Sequence, residues 1–178
     1  MKAKIAALSA IALFATAGTA FAQQQQNEIS LFGNLQNSKS SAAGSQSYNQ
    51  GNISAAYGRY FMPQLVGRVL INSSFSQSAG GGTNTFTLAG VGAKYYFKAG
   101  KRGDLVPFVD VQVLGGGNNQ SPKVTYTSWN GSVGGSYFLT EAASFDASLG
   151  YQRDTVKVSG ASNNQNDIIF NFGLTYRF

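Results

Sequence analysis

The stretch Ile168–Phe178, IIFNFGLTYRF, decides how the rest of the chain is read. Ile168, Phe170, Phe172, Leu174, Tyr176 and Phe178 fall on one side of a ribbon of period two. Ile169, Asn171, Gly173, Thr175 and Arg177 fall on the other. Such alternation specifies a strand with one apolar face. About 9–11 residues cross a bilayer as a tilted strand. A half-buried strand of a soluble sheet carries the same pattern, so the remaining sequence has to separate the two.

Working outward, only 11% of the residues are charged while Gly occurs 22 times. Soluble domains carry about a quarter charged residues. After the N-terminal segment no run of strongly apolar residues is long enough for a helical span, which needs about 18 or more. Low charge without apolar runs fits strands whose alternate residues face lipid. Cys and His are both absent. A disulfide framework and thiolate metal sites are thereby excluded, and the commonest general base and metal ligand are missing. No catalytic, cofactor or metal site is expected.

Residues 1–22 have the three parts of a secretory signal. Lys2 and Lys4 precede an apolar centre, IAALSAIALFA, and Ala20-Phe21-Ala22 forms a cleavage site before Gln23. The expected division is a signal peptide at 1–22 and one barrel domain at 23–178. Without those two lysines the formal charge falls from +6 to +4. That excess is small and dispersed, and it does not read as a nucleic-acid footprint.

Seven further period-two segments precede the last. They are Asn27–Gln36, Asn52–Phe61, Leu65–Phe75, Thr85–Phe97, Leu105–Gly115, Tyr126–Leu139 and Ser144–Asp154. The second alternates least well, because Arg59 shares a register with Ile53, Ala55 and Tyr57; it is expected at headgroup level. Short connections at Met62-Pro63-Gln64, KAGKRGD (Lys98–Asp104) and Thr140–Ala143 alternate with long Ser/Gly/Asn connections around Lys39, Gly80, Asn118 and Asn163. Eight strands with this alternation predict an all-β, antiparallel up-and-down barrel, with both termini and the short turns at one end. The GGG runs at Gly80–Gly82 and Gly115–Gly117 precede no helix, so they are not phosphate loops.

A secreted soluble barrel with an apolar lumen is the structural rival. Three features favour an outer face in lipid. The polar faces are mostly Ser, Asn, Gly and Gln, too uncharged for a solvated exterior. Aromatics crowd the short-turn end: Tyr60-Phe61, Tyr95-Tyr96-Phe97, Phe108, Tyr137-Phe138, Phe145, Tyr176 and Phe178. Phe75, Trp129 and Tyr126 mark the other end. Two such girdles are expected at the two interfaces. Finally, Glu28, Arg68, Lys94, Asp110, Asp146 and Arg177 all lie on polar faces near the short-turn end. Three acids and three bases at one level are expected to form a barrel-interior charge network, since isolated charges there are costly. Asp110 and Asp146 form the one candidate pair of interior acids, and basic neighbours account for them more simply than catalysis. Lys98, Lys101 and Arg102 read as a solvated turn, or as a contact for acidic headgroups.

With leader, eight amphipathic strands and aromatic last residue together, the chain resembles the small OmpA/OmpX-like outer-membrane proteins, the porin-like eight-stranded β-barrel domains. The last strand carries the most specific part of that resemblance. It implies that Phe170, Phe172, Leu174, Tyr176 and Phe178 act as a C-terminal insertion signal. It also implies a Gram-negative outer-membrane location with periplasmic termini, and assembly by periplasmic chaperones and the barrel-assembly machinery. The expected surroundings are outer-membrane lipid and lipopolysaccharide, the expected state a monomer. Two roles follow as expectations: a non-enzymatic structural or surface-interaction barrel with an occluded lumen, or a small passive channel for ions or small solutes.

Overall fold

Period-two alternation fixes which side of each strand is apolar, and an antiparallel sheet with one apolar side lowers its free energy by closing on itself. The computed structural model describes residues 26–38, 48–78, 83–118, 124–158 and 161–178. They form eight strands: β1 Asn27–Ser38, β2 Tyr48–Met62, β3 Leu65–Ser78, β4 Thr83–Tyr96, β5 Leu105–Asn118, β6 Val124–Phe138, β7 Ala143–Val158 and β8 Ala161–Arg177. Each pairs antiparallel with its sequence neighbours, and β1 pairs with β8 to close the barrel. The expected leader and the loops around Lys39 and Gly80 lie outside the described residues.

The apolar side faces out. Leu31, Val91, Val111, Val133, Leu149, Phe170 and Leu174 are all exposed. Their neighbours in sequence, including Ser30, Asp110, Ser132, Ser148 and Thr175, are buried in the interior. This is the inverse of a soluble barrel, and it is stable where the exterior is hydrocarbon.

The strands run further from the short-turn end than expected. Asn118 ends β5 rather than sitting in a loop, and Asn163 lies within β8, opposite Val156 of β7. Gly116 and Gly117 likewise belong to β5, paired with Tyr126 and Thr125. Ladder hydrogen bonds are made by backbone, so they continue where Ser, Asn and Thr give no apolar alternation.

Two ladders are short. That of β1 with β8 runs from Glu28↔Arg177 to Gly33↔Phe172, and that of β4 with β5 from Tyr96↔Phe108 to Ala89↔Gly115. At the first, Gly173 leaves no room for a side chain: a Cβ there meets the Leu31 carbonyl oxygen and lies 2.7 Å from Phe32 Cδ1. Gly173→Val is therefore expected to push β1 from β8 and destabilise the barrel by about 1–3 kcal/mol. The urea midpoint of the refolded variant checks this; an unchanged midpoint would show that the seam yields without cost.

Candidate functional site

Side chains on the inner faces must satisfy their polar groups within the barrel, and a charge there needs a partner. Glu28, Arg68, Lys94, Asp110, Asp146 and Arg177 are all buried, and each has an oppositely charged neighbour. Arg68 of β3 pairs with Asp110 of β5, skipping over β4. Lys94 Nζ of β4 donates to Asp146 Oδ2 of β7 at 2.6 Å, across the barrel. Arg177 of β8 lies 3.9 Å from Glu28 of β1 through its Nε.

Hydroxyl groups complete the arrangement. Tyr60 and Tyr96 both donate to Glu28 Oε2, at 3.0 and 3.1 Å. Both also accept from Arg177, whose Nε and Nη2 are each 3.0 Å from a phenol oxygen. Arg177 Nη1 reaches Ser144 Oγ at 3.1 Å, and Ser144 in turn donates to Asp146 at 2.9 Å. Thr175 donates to Asp146 at 2.7 Å and shares a hydrogen bond with Ser30 at 2.8 Å. One connected set thus ties β1, β2, β4, β7 and β8. The Arg68–Asp110 pair, with Gln112 donating to Asp110 at 2.8 Å, ties β3 to β5.

Apolar groups pack on both sides of these charges. Toward the short turns, Val66, Tyr96, Val106, Phe108 and Phe138 form one buried cluster, with Tyr60 against it. Farther in, Ala56, Leu70, Leu88 and Leu114 form a second, joined by Phe32, Phe86 and Tyr126. Lys94 Nζ sits 4.0 Å from the Phe108 ring centroid and 4.7 Å from that of Tyr96. The Arg177 guanidinium carbon lies 4.3 Å from the Phe138 centroid. Such cation–π contacts offset part of the cost of removing a charge from water, by about 2 kcal/mol each when desolvated.

These positions correct the expected girdle. Tyr96, Phe108 and Phe138 are buried inside the barrel, and Tyr60 and Tyr126 pack against the inner clusters. Phe61, Tyr95, Phe97, Tyr137, Phe145, Tyr176 and Phe178 do face outward at the short-turn end, as does Trp129 in the far half. The side chain of Phe75 lies outside the described residues. The signal for the inward group was present in the register. Tyr96 is two residues from Lys94, Phe108 two from Asp110 and Phe138 two from Ser136, so each shares an inner face. Composition at the strand ends pointed to an interface, whereas parity pointed inward, and parity prevails because the pleat dictates it.

Asp110 and Asp146 are each held by a different cation, Arg68 and Lys94 respectively. Among the described residues no cluster of three or more Asp, Glu, His or Cys could hold a metal ion. The outward-facing Phe170, Phe172, Leu174, Tyr176 and Phe178 form one row along β8, with the Tyr176 and Phe178 rings stacked at 6.3 Å.

A family model described as the outer membrane protein beta-barrel domain matches residues 6–178. No curated protein matches the sequence. Among solved structures, the N-terminal β-barrel domain of Pseudomonas aeruginosa OprF is similar in fold, with a TM-score of 0.50 and 19% identity. The match covers 87% of this chain and 98% of that one.

Proposed function

The chain belongs to the outer membrane protein beta-barrel domain family, and from that premise we propose that it is a non-enzymatic barrel with an occluded lumen, serving a structural or surface-interaction role. One observation carries this reading: the Lys94–Asp146 pair spans the interior between two apolar clusters. A hydrated ion passing this level has to separate a buried, hydrogen-bonded charge pair, and parted charges in so poorly hydrated an interior are costly.

In the same reading residues 1–22 direct export, 23–178 form the monomeric barrel, and the short turns and both termini face the periplasm. Outer-membrane lipid and lipopolysaccharide surround it, and periplasmic chaperones and the barrel-assembly machinery deliver it. Catalysis is disfavoured in the interior, because the buried acids Glu28, Asp110 and Asp146 each lie against a cation and no His is present to serve as base.

Planar-bilayer recording on the refolded protein tests the proposal. The expected result is no steady conductance above protein-free controls. A steady ion current that changes in Arg68→Ala or Lys94→Ala would instead assign a small passive channel, for which the polar interior around Ser54, Asn72 and Asn130 supplies the path.

A further inference from the structure

The turn between β4 and β5 forms one wall of a recess at the short-turn end, which borders the interior charge pairs at Arg177. Its backbone is tied to β6. Gly103 N–H donates to the Phe138 carbonyl at 2.8 Å, and Phe138 N–H donates to the Asp104 carbonyl at 2.9 Å. Asp104 N–H closes the turn onto the Lys101 carbonyl at 2.9 Å, and Gly103 takes a φ of 84° that a residue with Cβ rarely adopts. Gly100 rests directly on the Phe138 ring, leaving no space for a Cβ. Lys98 and Lys101 are therefore carried on an ordered backbone.

The recess has a volume of about 630 Å³, within the ordinary size of small-molecule sites. Arg59, Lys98, Lys101 and Arg177 all line it, against Glu141 as the one acid among the described residues that do. Lys98 is paired with Asp104 at 3.4 Å, but that pair is exposed and weak enough to exchange partners. Among the described residues neither Arg59 nor Lys101 has a carboxylate within 4.0 Å. The floor is aromatic, from Tyr96 and Phe138, and one side is Phe61 and Met62. Phe61 is 71% exposed, and its ring covers Gly67 on the outward face of β3. The recess thus runs from the basic mouth of the barrel onto the apolar outer surface.

The geometry points to a binding site for an anionic phospholipid, its phosphate held by Arg59, Lys98 and Lys101 and its acyl end leaving past Phe61 and Met62. A free anion has no use for the apolar exit, and a zwitterionic lipid, whose phosphate carries its own ammonium, brings no net charge to a recess lined by Arg59, Lys98, Lys101 and Arg177. The inference rests on the reading that the outer face meets lipid and that the short-turn end lies at the periplasmic leaflet. It adds a ligand to that reading, and it assigns KAGKRGD a role beyond that of a solvated turn.

The test uses the refolded protein in phosphatidylcholine nanodiscs containing increasing phosphatidylglycerol. Amide resonances of Gly100, Lys101 and Phe138 report on the recess, with the Trp129 indole as a remote control for folding. Saturable shifts at the three amides with phosphatidylglycerol are expected. Arg59→Gln/Lys101→Gln should weaken that binding by about tenfold or more, since two of the three cations that hold the phosphate lose their charge. Absent shifts, or equal affinity in the double variant, would overturn the proposal. Inorganic phosphate producing the same shifts at equal affinity would overturn the lipid assignment and leave a free-anion site. Conductance does not enter this readout. A conducting barrel leaves the lipid test standing, and an empty recess leaves the occluded barrel standing.

Discussion

Asp146→Ala is expected to destabilise the barrel by about 3–5 kcal/mol, because it strands a buried ammonium. Lys94 is completely buried and Asp146 nearly so, and the two are 2.6 Å apart. The Asp146 carboxylate also accepts from Ser144 and Thr175, so its removal leaves both hydroxyl groups without that acceptor. The flanking Phe108 and Tyr96 rings soften the loss for Lys94, but they lack its counter-charge. Urea unfolding of refolded protein in lipid vesicles measures the effect. The paired variant Lys94→Met/Asp146→Leu should recover most of the loss, since replacing both members removes the desolvation cost along with the attraction. If Asp146→Ala unfolds at the wild-type midpoint, the pair is not what holds β4 against β7.

Deleting Phe178 is expected to abolish most insertion into the outer membrane while leaving export intact. We attribute the effect to the outward row Phe170, Phe172, Leu174, Tyr176 and Phe178, proposed as the strand that the insertion machinery reads. The structure adds a second contribution to separate from the first. Phe178 N–H donates to the Asn27 carbonyl at 3.0 Å, and the Phe178 carbonyl accepts from Gln26 and Asn27 at 3.1 and 2.9 Å. Deletion therefore also loosens the closure of β8 on β1, where the ladder is already short. Phe178→Ala keeps those backbone bonds and removes only the ring. Fractionation and heat-modifiable gel mobility of both variants decide between the two causes. Loss of insertion in both identifies the aromatic signal. Normal insertion of the substituted form, with failure of the deleted one, would assign the effect to closure instead.

Strand existence, strand order and the parity of each face were legible because all three depend on local alternation. Ile29, Leu31, Val111 and Leu149 face outward as their register demands, and the six interior charges lie on the inner faces that the same register assigns. The strand ends toward the long loops were not legible. Ser162, Asn163 and Asn164 pair with Lys157, Val156 and Thr155 without any apolar pattern to mark them. The inward aromatics were misplaced for a related reason. Tyr96 and Phe138 stand at strand ends rich in aromatics, and composition there masked the parity that places them inside.

The sequence by itself thus determined which residues face lipid and which face inward, because a pleated strand leaves each side chain only two directions. Only the tertiary structure decided which charges meet. Lys94 and Asp110 are direct cross-strand neighbours, yet Lys94 pairs with Asp146 and Asp110 with Arg68. That choice depends on how far the strands are sheared when the sheet closes, which sets the strand facing each one across the lumen. No local pattern encodes that stagger. Closure brings β7 within reach of β4, and so aligns three acids with three bases that are scattered along the chain.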